Sequence, residues 1–279
     1  MSRTHENHHV PTSTSIVVSA SITADIEAHL KQSITLKPPL SVHEPMYNLV
    51  FSAPPNSAPS LCVAACELVG GHRSKAIAAA SALRLLHAAN FTHEHLPLTD
   101  SPSPSPVIHN SYDPSIQLLM PDAILPLGFE LLAQSYNPAQ NNSDRVLRVI
   151  VEFARAFGSK GILDGQYRQR VVSISNGDEV DNAERVDCSG REKEGKMHAC
   201  AAACGAILGD ANEEETEKLR TFGLYVGMIQ GYSIKFMRER EEEKEAERTI
   251  KELRNLALKE LEHFHGRKLE PISSFIYCL

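Results

Sequence analysis

Two runs of small apolar residues, Leu61 to Gly71 and Cys200 to Gly209, limit most sharply what this chain can fold into. Each contains a Cys-x-x-x-Cys pair, Cys62 with Cys66 and Cys200 with Cys204. A spacing of four places both sulfurs of a pair on one stripe of a helix, and Gly70-Gly71 and Gly209 stand where each helix should stop. A disulfide within a pair is disfavoured, because side chains four apart on a helix run alongside one another rather than converging. Zinc is a weak reading, since ligand pairs of that metal sit in loops and not between alanines. The pairs read either as buried packing residues, free cysteine being among the most buried types, or as a face for close contact with a helix of another subunit.

The rest of the chain agrees with a helical protein. At 279 residues and 42% hydrophobic it can bury a large core, and no shift of composition divides residues 20–279. Six cysteines without a secretory signal point to a reducing compartment, which makes the Asn90-Phe91-Thr92 and Asn141-Asn142-Ser143 sequons coincidental. A net charge of -7 without a basic cluster argues against nucleic acid, and no apolar run reaches about 18 residues, so no membrane span is expected. Met1 to Ser19 is polar and rich in His, Ser and Thr, and reads as a disordered tail. A trimmed or weak organelle-targeting remnant stays open as a second reading, although the stretch lacks the arginine content that would identify one from sequence.

Apolar residues recur at helical spacing. Asp144 is placed to cap a helix with Val146, Val149, Ile150, Phe153 and Phe157 on one face and Gly158 at its end. Arg73 to Asn90 carries Ala76, Ile77, Ala80, Leu83 and His87 on one side, and Glu213 to about Lys235 forms a further helix. Arg238 to Lys251 alternates Glu with Lys and Arg at spacings of three and four, a solvated helix face that Leu253, Ala257, Leu261 and Phe264 continue as an amphipathic helix. No alternating strand pattern appears. The proline-punctuated stretch near 101–112 and the polar stretch 173–195 read as mobile loops. The expected fold is an all-α, many-helix bundle formed by residues 20–279.

Longer motifs carry a family resemblance. Leu61 to Gly71, followed by Ala82-Leu83-Arg84-Leu85-Leu86-His87, resembles the early helices of plant geranylgeranyl diphosphate synthases. His93-Glu94-His95-Leu96-Pro97-Leu98-Thr99-Asp100 stands where those enzymes have His-Asp-Asp-Leu-Pro-x-Met-Asp, and Gly165-Gln166, Lys196 and Gly205 to Gly209 fall into place. That eight-residue run, with the two cysteine motifs, is most similar to the small subunits of heteromeric geranyl diphosphate synthases. The resemblance spans about residues 20 to 270 and implies the isoprenoid-synthase bundle.

Measured against the chemistry of that family, several groups are missing. A prenyltransferase ionises an allylic diphosphate, and magnesium held by carboxylates on two facing helices neutralises the leaving group. In the first cluster Glu94 and Asp100 remain but His95 replaces a carboxylate, a poor donor for a hard cation. The two arginines that normally follow are replaced by Ser-Pro repeats. Where the second acidic cluster belongs the chain reads Gln230-Gly231-Tyr232-Ser233-Ile234-Lys235. The segment that grips isopentenyl diphosphate reads Ala53-Pro54-Pro55-Asn56-Ser57-Ala58-Pro59, without its lysine and arginines. His87, Glu94, His95, Asp100 and Lys196 are read as degenerate relics of diphosphate and Mg2+ binding, with no catalytic residue and no metal site of the chain's own.

The resemblance therefore implies a noncatalytic plastid subunit that binds a geranylgeranyl diphosphate synthase large subunit, as a heterodimer or heterotetramer, and shifts its product toward geranyl diphosphate for monoterpene synthesis. Mg2+ would be required only by the catalytic partner. By position in the family, Cys62, Cys66, Cys200 and Cys204 are implicated in subunit association, through packing rather than redox chemistry. Two alternatives stay open: a helical scaffold that docks another plastid isoprenoid-pathway enzyme, and a weakly active short-chain prenyltransferase that uses Glu94, Asp100 and Lys196.

Overall fold

The computed structural model describes residues 13–96, 112–159, 161–163, 190–236 and 243–277, and among them there is helix and turn but no strand. The helices are α1 (Ser13–Ser33), α2 (Leu40–Ser52), α3 (Ala58–Leu68), α4 (Ile77–Glu94), α5 (Pro114–Gln134), α6 (Ser143–Phe157), α7 (Lys196–Leu208), α8 (Glu213–Phe236), α9 (Glu243–Leu261) and the short α10 (Glu270–Ser273).

The two cysteine-bearing helices form the central wall. Every residue from Ala58 to Cys66 on α3 is buried, as is every residue on α7 from Cys200 to Leu208. A helix apolar on all sides must be covered on all sides. One core gathers around Cys62, Cys66, Cys200 and Cys204 with side chains of α1, α2, α4, α5 and α6. The other lies beyond Leu61, Ala65, Ala202 and Ala206 and is filled by Leu219, Phe222, Val226, Leu253, Leu261 and Phe264. Small residues let the wall be thin. A Cβ added to Gly205 would lie 2.0 Å from the Cys62 carbonyl oxygen, so α3 and α7 are in backbone contact at that point. Gly227 of α8 makes the same kind of approach to the Glu194 carbonyl, 2.2 Å from where its Cβ would be.

Local chemistry accounts for the helix ends. Asn212 and Glu215 form a reciprocal capping box at α8: Asn212 Oδ1 accepts from Glu215 N at 2.9 Å, and Glu215 Oε2 accepts from Asn212 N at 3.0 Å. Gly70 takes the left-handed conformation after α3, with φ 91. Asp113 caps α5 through Ser115 N at 2.8 Å. Arg73 ties α1 to the end of α3, holding Asp25 and Glu67 at 2.8 Å each.

Three expectations need correction. The tail assigned to Met1–Ser19 is helical from Ser13, because the helix anchored by the buried Ile22, Ile26 and Leu30 stripe of α1 extends back that far; residues 1–12 lie outside the described residues. Asp144 does not cap α6: the cap position is Asn142, whose Oδ1 accepts from Asn137 N at 2.8 Å, while Asp144 sits in the first turn. The loop assigned to 173–195 ends in a π-helical turn, Gly190–Gly195, fixed by its side-chain pairing with α4 and the α2–α3 connection. Residues 173–189 and 97–111 lie outside the described residues.

Candidate functional site

The polar groups named from the sequence do not form one centre. His87 and Glu94 lie in the C-terminal half of α4 and His95 is its C-cap, whereas Lys196 starts α7 and donates to the Gly161 carbonyl at 3.3 Å. Lys196 borders a cleft of about 460 Å³ together with Glu152, Arg155, Glu217 and Arg220. Asp100, Gly165 and Gln166 lie outside the described residues.

What surrounds His87 is supplied by the chain itself. Arg84, one turn earlier, donates to the carbonyls of Pro54, Ala53 and Val50 at 2.5, 2.6 and 3.3 Å. His87 Nε2 lies 3.1 Å from the Pro54 carbonyl, so that nitrogen carries the proton. Burial, with the nearby charges of Arg84 and Lys193, pushes the imidazole down to about 3, and it stays neutral. Lys193 in the π-helical turn places its ammonium on the Glu94 carboxylate. His95 Nδ1 donates to the Phe91 carbonyl at 2.8 Å.

Beside this cluster lies a buried network that sequence reasoning missed. His198 is wholly buried; its Nδ1 donates to the Glu194 carbonyl at 2.8 Å, which leaves Nε2 to accept from Ser57 Oγ at 2.9 Å. Asn56 Nδ2 donates to Glu194 Oε2 at 3.0 Å, and the Gln230 side chain adds a hydrogen bond to His198. Burial holds His198 below its ordinary value against the opposing pull of Glu194. The signal was available: a histidine inside an alanine and cysteine helix has to find partners when buried.

These residues do not fit a pair of magnesium ions. Glu94 is paired with Lys193, His95 spends Nδ1 on the Phe91 carbonyl, and on α8 the Gln230 side chain, an amide where a carboxylate would be needed, is bonded to His198. Among the described residues no three His, Cys, Asp or Glu side chains are grouped to hold a metal.

The four cysteines sit in the chain's own core. Their exposures are 0% for Cys62, Cys66 and Cys204 and 2% for Cys200. Cys200 and Cys204 have sulfurs 3.8 Å apart, well beyond a bond of about 2.05 Å. Burial pushes the Cys66 thiol up to about 12 and raises Cys62 and Cys204 as well, so these three thiols are neutral and unreactive. Within this chain the four side chains pack into the core between α3 and α7 and the helices around them.

An uncovered apolar surface lies instead on α5 and α6. α5 is long and apolar enough to span a bilayer by length and composition alone, a helix the run-length reading passed over. Pro121 and Pro126 interrupt it, and it packs along α4 with Ile124, Leu131 and Leu132 inward. Its outer stripe keeps Leu118 and Leu119 at 50% and 55% exposure, with Leu125 and Phe129 half-buried. On α6, Val146, Val149 and Phe153 face the core, whereas Leu147 and Val151 are exposed at 61% and 38%. Exposed large apolar side chains on these two neighbouring helices make α5 and α6 a candidate docking face.

Comparison with known proteins gives the family. No family model matches the chain. It is 64% identical over 269 residues to a chloroplastic heterodimeric geranylgeranyl pyrophosphate synthase small subunit of Cannabis sativa, covering 93% of this chain and 84% of the relative. The crystal structure of a geranyl diphosphate synthase small subunit from Antirrhinum majus superposes with a TM-score of 0.84 at 48% identity, over 95% of this chain and 100% of that one. A chain of the heterotetrameric geranyl pyrophosphate synthase of mint gives 0.81 at 44% identity, over 94% and 99%. With its all-α bundle, its two cysteine motifs and its altered acidic motif, the chain belongs to the small subunits of heteromeric geranyl and geranylgeranyl diphosphate synthases, within the polyprenyl synthase family.

Proposed function

We propose that this chain is a noncatalytic regulatory subunit that docks on a geranylgeranyl diphosphate synthase large subunit in the plastid, through α5 and α6, and shifts its product toward geranyl diphosphate. The observation that carries the reading is the uncovered apolar stripe of Leu118, Leu119, Leu147 and Val151 on a chain whose relatives are named as subunits of heteromeric synthases. Leaving such a stripe in water costs about 25 cal/mol for each Å² that a partner could cover. The other half of the reading rests on Arg84, His87 and Lys193. Their donors are taken by the chain's own carbonyls and carboxylate, which leaves them poorly placed to receive a diphosphate.

Elongation of an isoprenoid stops where the apolar tunnel of the large subunit ends or when product leaves. A partner that shifts either balance by about 1–3 kcal/mol changes the product ratio several-fold to a hundredfold. Mg2+ in the complex belongs to the large subunit. Cys62, Cys66, Cys200 and Cys204 contribute by fixing the wall on which the other helices stand.

The test is a product assay with dimethylallyl and isopentenyl diphosphates and magnesium, run on this chain, on a plant large subunit and on their mixture. The reading predicts no turnover by the chain alone and a gain of geranyl diphosphate in the mixture. Turnover by the chain alone contradicts the noncatalytic assignment. A mixture that neither associates nor changes its products favours a scaffold for another enzyme.

A further inference from the structure

The cleft beside Lys196 is lined by α6 on one side and α8 on the other, with Ala199 and Cys200 of α7 between them. Its carboxylates are all taken. Glu152 and Glu217 hold Arg220 at 2.6 and 3.0 Å, and Glu213 holds Arg148 at 2.7 Å. Its cations are not. Arg155 lines the cleft, is exposed, and has no ion pair among the described residues. Exposed acids of the two docking helices do not answer it: Asp144 stands about three turns and 16 Å earlier on α6, and Asp122 of α5 lies 4.0 Å from the His93 imidazole. Counting Arg148, four cations meet three carboxylates around the cleft, so one positive charge is left over.

Arg155 follows the exposed Leu147 and Val151 at steps of four, so it continues the apolar stripe of α6 to the cleft. A partner that covers the stripe takes water from the guanidinium as well. A charge stripped of water and left unpaired opposes association, and the partner removes that cost by bringing an anion. We infer that the cleft receives an Asp or Glu side chain of the partner subunit, gripped by Arg155 beside Val151. The inference rests on the docking reading given above and adds the chemistry of one contact. A carboxylate suits the site because its two oxygens match the parallel N–H donors of a guanidinium fork. The acids already in the cleft do not forbid it, since each of them has its own arginine.

Four variants test it against the wild type. Arg155→Ala removes the charge, Arg155→Glu reverses it, Arg155→Lys keeps it without the fork, and Lys259→Glu reverses an exposed cation on α9 as a control. Circular dichroism and thermal melting establish that each is folded. Binding to a plant large subunit is measured by biolayer interferometry at low and high salt. The inference predicts that Arg155→Ala weakens binding by about tenfold and Arg155→Glu by more, with Arg155→Lys between Arg155→Ala and wild type. It predicts that Lys259→Glu stays near wild type, and that wild-type affinity falls more steeply with salt than that of Arg155→Ala. In the complex of Arg155→Lys, a carbodiimide should join the new amine to an Asp or Glu of the large subunit, read by mass spectrometry of the linked peptides. Unchanged binding by Arg155→Ala, an equal loss in the control, or no such cross-link overturns the inference. Inorganic pyrophosphate that binds wild type but not Arg155→Ala, with large-subunit affinity the same in both, would assign the cleft to a free anion and overturn it as well. Leu119→Asp/Leu147→Asp, measured alongside, separates the two readings. If it binds as wild type does, docking through α5 and α6 fails and takes this inference with it; if it loses binding while Arg155→Ala does not, the carboxylate contact alone fails.

Discussion

The helix pair α3–α7 and the helix pair α5–α6 are both rich in apolar side chains and differ in what covers them. Around α3 and α7 the chain supplies its own cover on both sides, down to a backbone approach at Gly205 that leaves no room for a methyl group. Along α5 and α6 it supplies cover on one side, and Leu118, Leu119, Leu147 and Val151 stay in water. Hydrophobic content alone therefore does not locate an interface. The first pair is core, and the second leaves apolar area exposed that the proposed function assigns to a partner.

That division can be broken by substitution. The largest effect is expected at Gly205→Ala, whose Cβ would meet the Cys62 carbonyl oxygen at 2.0 Å. Neither partner is a flexible side-chain tip, so the helices must part, with a loss of about 3 kcal/mol or more, read as a lower midpoint of chemical unfolding.

Acid should act next. His87 stays neutral down to about 3 in the folded chain and titrates near 6.5 when unfolded, so below pH 6.5 the unfolded state takes up a proton that the native state does not. Stability contributed by this site is complete above that pH and falls as pH drops toward 3. Each tenfold rise in proton concentration within that window removes about 1.4 kcal/mol. His198 and His29, also held low by burial, act in the same direction. Unfolding midpoints between pH 7 and 4 measure the slope, and His87→Gln should flatten it.

A smaller loss is expected at Cys62→Ser, which places a hydroxyl in a fully buried apolar slot, at about 1–3 kcal/mol of stability. Below its own unfolding transition that variant should bind the large subunit as wild type does, by calorimetry. If it stays stable yet loses binding, the cysteines are contact residues after all. Leu119→Asp/Leu147→Asp sharpens the contrast from the other side. Both positions are more than half exposed, so stability should move by about 0.5 kcal/mol at most, while association weakens by about tenfold or more.

Much of this molecule was legible in its sequence. The glycine stops after Cys66 and Cys204 and the 3.6-residue stripes of α6 and α9 each report a local rule that the fold obeys. Where reading failed, the cause was contact between distant segments. Nothing local to Lys193 says that Glu94 will meet it, and nothing local to Asn56 points to Glu194. The cysteine stripes and α5 show the same limit. Composition describes both as apolar helices, and only the packing of α1, α4 and α8 decides which of them the chain buries.

Hydrogen–deuterium exchange of the whole chain, alone and bound to a plant large subunit, tests that division most directly. The account predicts slower exchange on binding across residues 114–157, with little change in α3 and α7, which are already protected by the core. Protection that appears at 58–68 and 196–208 while 114–157 stays unchanged would contradict it.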